Sequence, residues 1–476
     1  MNKSIRLVSL FAILLTAVLL VNLTVVQALS EDKYAHNPKN VRGYLEMRTT
    51  PRGQIFAGDT VLAQSTADEN GNYSRSYPTD SPAFATVTGY LSERFGASQL
   101  EASQNGILNG KDDSLLARNW LDMLSGKPQK GANVEVTIDP ALQQAAYDQL
   151  AGPGYNGAAV ALQPSTGKIL AMASSPSFNV SDLVGDSAAE TWEQLQNQDG
   201  KPLVNHATQE TLPPGSIFKI ITTAAGLNNG FTPDSSLTGA ASITLPDTVT
   251  ELTNYGNQAC GGADRVTLQT AFALSCNTAF VEMSEGIGAD ELRKYAEGFG
   301  VGEKYSLGVD TSSGSLGELS DGAQVAQSAI GQRDVTMSAL QAAVMAATVA
   351  NKGKRMEPYL INRITDAQMN ELRSTQPRVA AEAINEDTAT TLKDLMFASE
   401  RSTWGYDGNG FASKTGTAEH GEGLAPHVWY VAFDPDKDIA VGVVVKDGGN
   451  LGEGATGGQV SGPIGRAILR AYGGEQ

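Results

Sequence analysis

Residues 212–221, Leu-Pro-Pro-Gly-Ser-Ile-Phe-Lys-Ile-Ile, place the tightest constraint on this chain. Two prolines and a glycine do not belong inside a helix, but they can introduce one. The residues that follow, from Ser216 to Leu227, are mostly apolar or small. That is the pattern of a helix buried on nearly every side. Ser216 falls in its first turn and Lys219 three positions on. An i, i+3 pair shares one helical face, so hydroxyl and amine can meet. A lysine in an apolar helix is costly unless it has a partner or a task. Two readings stand: a serine nucleophile whose proton the lysine handles, or an N-cap serine beside a snorkelling lysine.

Spacing alone does not separate them. Ser-x-x-Lys recurs at Ser30/Lys33, after a hydrophobic N-terminal segment, and at Ser165/Lys168. The latter lies in Pro164-Ser165-Thr166-Gly167-Lys168, a turn between two strand-like runs, where the side chains share no helical face. Only Ser216 opens a buried helix.

At the N-terminus, Lys3 and Arg6 precede an apolar run over residues 7–29, followed by Glu31, Asp32 and Lys33. About 22 residues at ~1.5 Å each span roughly 33 Å, enough to cross a bilayer. Leading positive charge favours a cytoplasmic N-terminus with the remainder outside. Val26-Gln27-Ala28 offers a signal-peptidase site, but the run exceeds a usual signal core, so an uncleaved single-pass anchor is expected. An exported compartment permits a disulfide between Cys260 and Cys276, the two cysteines present. It would close a loop of about 16 residues and contribute ~3 kcal/mol in the chain-entropy view.

The 476 residues suffice for two or three domains. A net charge of −18, with no long basic stretch, argues against a nucleic-acid partner. Two cysteines and four scattered histidines (His36, His206, His420, His427) show no recognisable metal-ligand spacing. No metal or cofactor is expected.

Along the chain, Val41-Arg42-Gly43-Tyr44 follows the polar stretch after the anchor. Arg52-Gly53 reads as a turn feeding a short strand at Ile55-Phe56, paired with Val61-Leu62-Ala63, and the bland alternative for Arg52 is a surface salt bridge. Residues 134–139 alternate as a strand, and Asp139 caps a helix to Leu150. Residues 151–154 break it and mark a domain boundary. Residues 158–162 and 169–173 form a hairpin apolar on both faces, hence inside a covered sheet. Helices are expected over 278–285, 292–299 and 337–350, a polar loop over 327–332, and a peripheral mixed region from Pro358. Residues 411–418, 428–433 and 439–445 form an antiparallel meander. A glycine-rich loop and a helix over about 463–472 follow. Strands from both ends of the second domain should build one sheet with helices on its faces. Trp429 is assigned to the core of that sheet.

Three motifs occur in order: Ser216-Ile217-Phe218-Lys219, Ser275-Cys276-Asn277 and Lys414-Thr415-Gly416. The first two are individually weak; Ser-x-Asn also occurs at Ser103/Asn105 and Ser177/Asn179. Their order, and their placement on a helix start, a loop and a strand, is the pattern of serine β-lactamases and penicillin-binding proteins. The chain resembles the penicillin-binding proteins, specifically the monofunctional class B. Arg52-Gly53-Gln54-Ile55, Gly157-Ala158-Ala159-Val160, Ser175-Pro176-Ser177-Phe178, Pro214-Gly215-Ser216 and Gly331-Gln332 extend the resemblance over most of residues 41–472. Asn205-His206 departs from the family's frequent Asn-Arg. The modest length resembles the actinobacterial penicillin-binding protein A group.

The resemblance implies an α+β chain. Cytoplasmic residues 1–6 precede a transmembrane signal-anchor at 7–29. A small, irregular, β-rich, non-catalytic domain spans 30–152. A penicillin-binding transpeptidase domain spans 153–476, with a central antiparallel sheet flanked by helices. Ser216 would be the nucleophile, Lys219 its base and Ser275 a proton relay. Asn277 would orient Lys219 and the substrate amide. Lys414 and Thr415 would hold the substrate carboxylate, and Gly416 would admit the substrate backbone. The N–H groups of Ser216 and Thr417 would form an oxyanion hole. The implied partners are peptidoglycan stem peptides, β-lactams as covalent inhibitors, the cytoplasmic membrane, and cell-division or elongation proteins.

A β-lactamase would need a deacylating glutamate in a Glu-x-x-Leu-Asn type loop after the nucleophile. Glu193-Gln194-Leu195-Gln196-Asn197 precedes Ser216 and lacks the pattern. Residues 31–152 are too short and irregular for a glycosyltransferase. Lys219 makes a Ser-His-Asp triad through His206 or His427 redundant. A D,D-carboxypeptidase would use the same residues with water as acceptor. The intact motifs argue against a non-catalytic division scaffold.

Overall fold

The computed structural model describes residues 3–25, 48–112, 130–185, 187–421 and 423–473. Helix α1 (Lys3–Thr24) is 22 residues long, apolar and wholly exposed, with the length and composition to cross a membrane. Val26-Gln27-Ala28, Val41-Arg42-Gly43-Tyr44, Ser30/Lys33 and the end of the expected anchor lie outside the described residues.

The turn at Arg52-Gly53 feeds β1 (Ile55–Ala57), which pairs with β2 (Thr60–Ala67) through Phe56 opposite Val61. Strand β3 (Tyr73–Ser76) extends the sheet beyond β2. Strand β4 (Asn133–Val136) lies parallel to β1. Asp139 then caps α2 (Pro140–Ala151), its carboxylate accepting from the Ala141 and Leu142 amides.

The hairpin β5 (Gly157–Leu162) and β6 (Ile169–Ser175) is buried along its whole length. The long polar section after it contains a helix at Ala188–Asn197. A single 3-10 turn (Gly215–Phe218) leads into α3 (Lys219–Asn228). Then come α4 (Leu268–Ala273) and α5 (Asn277–Gly298), the latter broken at Gly288 into the two helices expected. Residues 327–329 are not loop: α6 (Gly322–Ala329) is capped by Asp321 and sets its apolar residues against α5. Helix α7 (Ala339–Ala350) starts at a capping box formed by Ser338 and Gln341.

The stretch after Pro358 is not peripheral. Strands β7 (Ile361–Thr365) and β8 (Glu371–Ser374) complete the first sheet, whose order is β8-β7-β4-β1-β2-β3. Ile364 faces Val134 across β4, so a segment more than 200 residues downstream finishes the sheet begun at Ile55. Helix α8 (Glu386–Ser402) follows, with Leu392, Leu395 and Met396 in the core.

The meander is β9 (Ala412–Ala418), β10 (His427–Asp434) and β11 (Ile439–Val445), and α9 (Ser461–Ala471) closes the fold. Strands from both ends of this region form one antiparallel sheet, β9-β10-β11-β5-β6. Side chains alternate across it. Val160, Trp429, Val431 and Val444 face α7 and the helical layer, whereas Ala159, Tyr430, Val441 and Val443 face α2 and α9. Gly442 lets α7 lie directly on β11, for a Cβ there would sit 2.6 Å from Ala339 O. Trp429 is fully buried, as its assignment to the core required.

Candidate active site

Three elements meet at the free edge of β9. The prolines at 213 and 214 leave the chain in the tight turn that carries Ser216, and Gly215 N–H donates to Gly331 O at 2.8 Å. Ser216 lies in that 3-10 turn and Lys219 is the first residue of α3, so the i, i+3 pair falls on one side of the chain. Helix α3 is buried from Lys219 through Gly226.

Ser275 is presented by the end of α4. Its amide donates to Phe272 O at 3.2 Å and that of Cys276 to Ala271 O at 2.9 Å, the two bonds of a Schellman close. The residue at this corner must be left-handed, a place where glycine is usual. Here it is a serine at φ 62°. Cys276 is disulfide-bonded to Cys260, with Cα atoms 5.7 Å apart, inside the usual range. Asn277 then opens α5.

Lys219 Nζ donates to Ser275 O at 2.8 Å and to Asn277 Oδ1 at 2.8 Å, and lies 3.3 Å from Ser275 Oγ. Lys414 Nζ donates to Ser275 Oγ at 2.9 Å and to Thr415 O at 3.1 Å. Both lysines are fully buried. Phe280 lies under the first amine and Phe272 under the second. Burial, and then the charge of Lys414, hold the Lys219 amine well below the ordinary lysine range. Burial alone pushes Lys414 down to about 7. A neutral Lys219 keeps two N–H donors for Ser275 O and Asn277 Oδ1. Its lone pair is then free to accept a proton. Ser216 is half-buried, and its Oγ makes no hydrogen bond among the described residues.

Asn277 is fixed from both ends of its amide, since Nδ2 donates to Thr253 O at 3.0 Å. One N–H remains for a substrate. Thr415 and Thr417 are half-buried on the edge strand. Gly416 has a packing role as well. A Cβ there would meet Pro214 O at 2.6 Å and Trp429 Cβ at 3.1 Å. Glycine is what lets β9 press against the nucleophile turn, and Trp429 Nε1 seals the contact by donating to Pro213 O at 2.8 Å.

Two buried ionic clusters have no local signature in the sequence, and the first of them supports the site. The buried carboxylate of Glu400 accepts from Ser413 on β9, from Tyr430 OH at 2.9 Å and from Arg466 Nε at 2.7 Å. These partners come from segments brought together only by the fold. Arg52 is likewise no surface residue. It is buried and paired at 2.9 Å with Glu101, which also takes Arg75. A lone arginine beside a glycine carries no sign of partners some 50 residues away.

Neither His206 nor His427 is placed as a triad base. His206 is buried between Glu210 and Gly200 O, each at 2.8 Å. Burial and His420 push His427 down to about 4. His420, His427 and Asp447 nevertheless come together at the end of the sheet. Of the other serine–lysine pairs, Ser165 is taken up in a turn by Asp438.

A serine, two buried amines and an intervening hydroxyl at a sheet edge define an acyl-transfer centre of the penicillin-binding type. Residues 157–470 match the penicillin-binding protein transpeptidase domain, and the chain belongs to that family. Residues 52–134 match the penicillin-binding protein A dimerisation domain. A relative, the peptidoglycan D,D-transpeptidase PbpA of Mycolicibacterium smegmatis, is 42% identical, with 99% of each chain covered. Penicillin-binding protein A from M. tuberculosis, solved as a ceftriaxone acyl-enzyme complex, superposes with a TM-score of 0.86 at 39% identity, over 90% of this chain and 100% of that one. Its penicillin G acyl-enzyme complex gives 0.84 at 39% identity over 89% and 99%.

Proposed function

We propose that this chain is a peptidoglycan D,D-transpeptidase that cross-links stem peptides through an acyl-enzyme on Ser216 and is acylated by β-lactams. The observation that carries the reading is the convergence of Lys219 and Lys414 on Ser275 Oγ beside the Ser216 turn. Ser216 Oγ attacks the carbonyl carbon of the D-alanyl-D-alanine peptide bond, and its proton passes to neutral Lys219. The oxyanion is held by the Ser216 and Thr417 amides. Ser275 returns a proton to the departing D-alanine amine. Asn277 holds Lys219 and offers its remaining N–H to the substrate amide. Lys414 and Thr415 take the terminal carboxylate, and Gly416 keeps their strand against the nucleophile. An amine from a second stem peptide then attacks the ester and releases Ser216.

Residues 153–476 form the catalytic domain in this reading, and residues 30–152 a non-catalytic domain that engages division or elongation proteins. The anchor at 7–29 leaves both outside the cytoplasm, with the Cys260–Cys276 bond oxidised there. Trypsin added to intact cells should digest the catalytic domain; full protection would refute the orientation.

The central test is a fluorescent penicillin. The native chain should label and Ser216→Ala should not. Absence of label on the native chain, or label that survives Ser216→Ala, refutes the assignment. Turnover of a D-Ala-D-Ala stem peptide with an amine acceptor should give cross-linked product. Hydrolysis alone would make the chain a carboxypeptidase, and no turnover a scaffold.

A further inference from the structure

The ends of three strands gather a second set of ligand-forming side chains, separate from the serine and lysines. Antiparallel register pairs Ala418, the last residue of β9, with His427, the first of β10, and Val428 with Val445, the last of β11. The segment leaving β9, the start of β10 and the segment leaving β11 therefore lie at one end of the sheet. His420 comes from the first, His427 from the second and Asp447 from the third. The imidazole rings stack with centroids 3.9 Å apart. Asp447 Oδ1 lies 3.3 Å from His420 Nε2 and 3.7 Å from His427 Nδ1. All three donor atoms fall within 4.8 Å of one another.

The two Asp447 separations are near those of a small tetrahedral ion, and the imidazoles must turn out of their stack for both nitrogens to aim at it. With metal–nitrogen and metal–oxygen bonds of about 2.0–2.2 Å, neighbouring ligand atoms stand roughly 3.3–3.5 Å apart. The His427 lone pair is on the right nitrogen but is engaged, and an ion would displace its partner. His427 Nδ1 faces the Asp447 amide N–H at 3.3 Å, which it can meet only as an acceptor, so the proton sits on Nε2. His420 Nε2 lies 2.9 Å from Ala425 O. Binding requires its other tautomer, with the lone pair on Nε2. Two imidazoles and one carboxylate match the donor preferences of borderline divalent cations better than those of Mg²⁺ or Ca²⁺, which favour oxygen.

We propose that His420, His427 and Asp447 form a binding site for a borderline divalent cation, with Zn²⁺ as the type. Three protein ligands leave one tetrahedral position open. The bound ion would tie the segment after β9 to the segment after β11, three residues beyond Thr417.

The test is calorimetric titration of ZnCl₂ into the full chain in detergent micelles after removal of metal by a chelator. One saturable equivalent is expected. His420→Ala and Asp447→Asn should each weaken it by roughly 100-fold or more. No saturable binding, or binding that neither substitution alters, overturns the proposal. Labelling by fluorescent penicillin reports that each variant is folded, since neither residue belongs to the acylating machinery. Should a variant fail to fold, anomalous scattering at the zinc edge from ZnCl₂-soaked crystals of the native chain decides. A peak among the three donors supports the site, and a peak elsewhere or none removes it.

Discussion

Lys219 and Lys414 aim their amines at one hydroxyl, that of Ser275, at 3.3 and 2.9 Å. Two like charges cannot share so small and dry a space cheaply, so the pair favours one proton too few. Lys414 can donate to Ser275 Oγ while that hydroxyl offers its own proton to Lys219. The geometry thus carries a proton route as well as a charge.

In the proposed mechanism acylation is fastest, though not possible only, with Lys219 neutral and Lys414 charged, so its rate should be bell-shaped in pH. The acid limb marks protonation of Lys219. The alkaline limb marks loss of the Lys414 proton, which burial moves down to about 7. Lys414→Met removes a positive neighbour that lowers the Lys219 pKa. That pKa then rises and the acid limb moves to higher pH. Stopped-flow acylation by penicillin over about pH 5–9 reads both limbs. An acid limb that stays in place argues against Lys219 as the base.

Ser275 can be split into hydroxyl and backbone. Ser275→Ala should slow acylation by roughly 10²–10⁴-fold. Ser275→Gly should slow it equally, yet be more stable than the alanine variant by about 1 kcal/mol, because glycine adopts the left-handed corner freely. Denaturant melts and labelling rates of the two variants make the comparison. Wild-type acylation by Ser275→Ala would remove the relay.

Gly416→Ala places a methyl where Pro214 O and Trp429 Cβ now stand. Overpacking of this kind costs about 1–3 kcal/mol. The strand and the nucleophile turn must separate, so acylation should slow along with the loss of stability. Normal labelling in a variant of unchanged melting temperature would show that the contact yields.

Glu101 binds Arg52 and Arg75 in a buried cluster. Glu101→Gln leaves two guanidinium groups without their counter-charge and should cost about 3–5 kcal/mol. Ser216 chemistry lies on the other sheet, so any folded fraction should still label with fluorescent penicillin. Chemical denaturation measures the first effect and labelling per folded molecule the second.

What could be read from the chain depended on how locally each feature is encoded. The hairpin of β5 and β6 and the meander of β9 to β11 announce themselves through apolar runs around tight turns. The Ser216 helix does so through Pro213-Pro214-Gly215. The left-handed Ser275 is invisible because its conformation comes from the closing bonds of α4. The cluster of His420, His427 and Asp447 has uneven spacing and exists only through strand register. Strands β7 and β8 are short and half polar, and their partner is remote, so nothing nearby marks them as part of the first sheet.

That remoteness has a kinetic consequence. Glu135 on β4 meets Arg363 on β7 across 228 positions of sequence. At synthesis rates of ~5–20 residues per second, roughly 10–50 s pass before the partner emerges. Through that interval β4 has an unpaired edge, which any other extended segment could occupy. A nascent chain of this protein therefore has a vulnerable period built into its order of residues. Strand β5 waits longer still for β11. A holdase that covers the edges of β4 and β5 would therefore improve the yield of folded enzyme more than one acting on the meander, whose strands follow one another within about 35 residues.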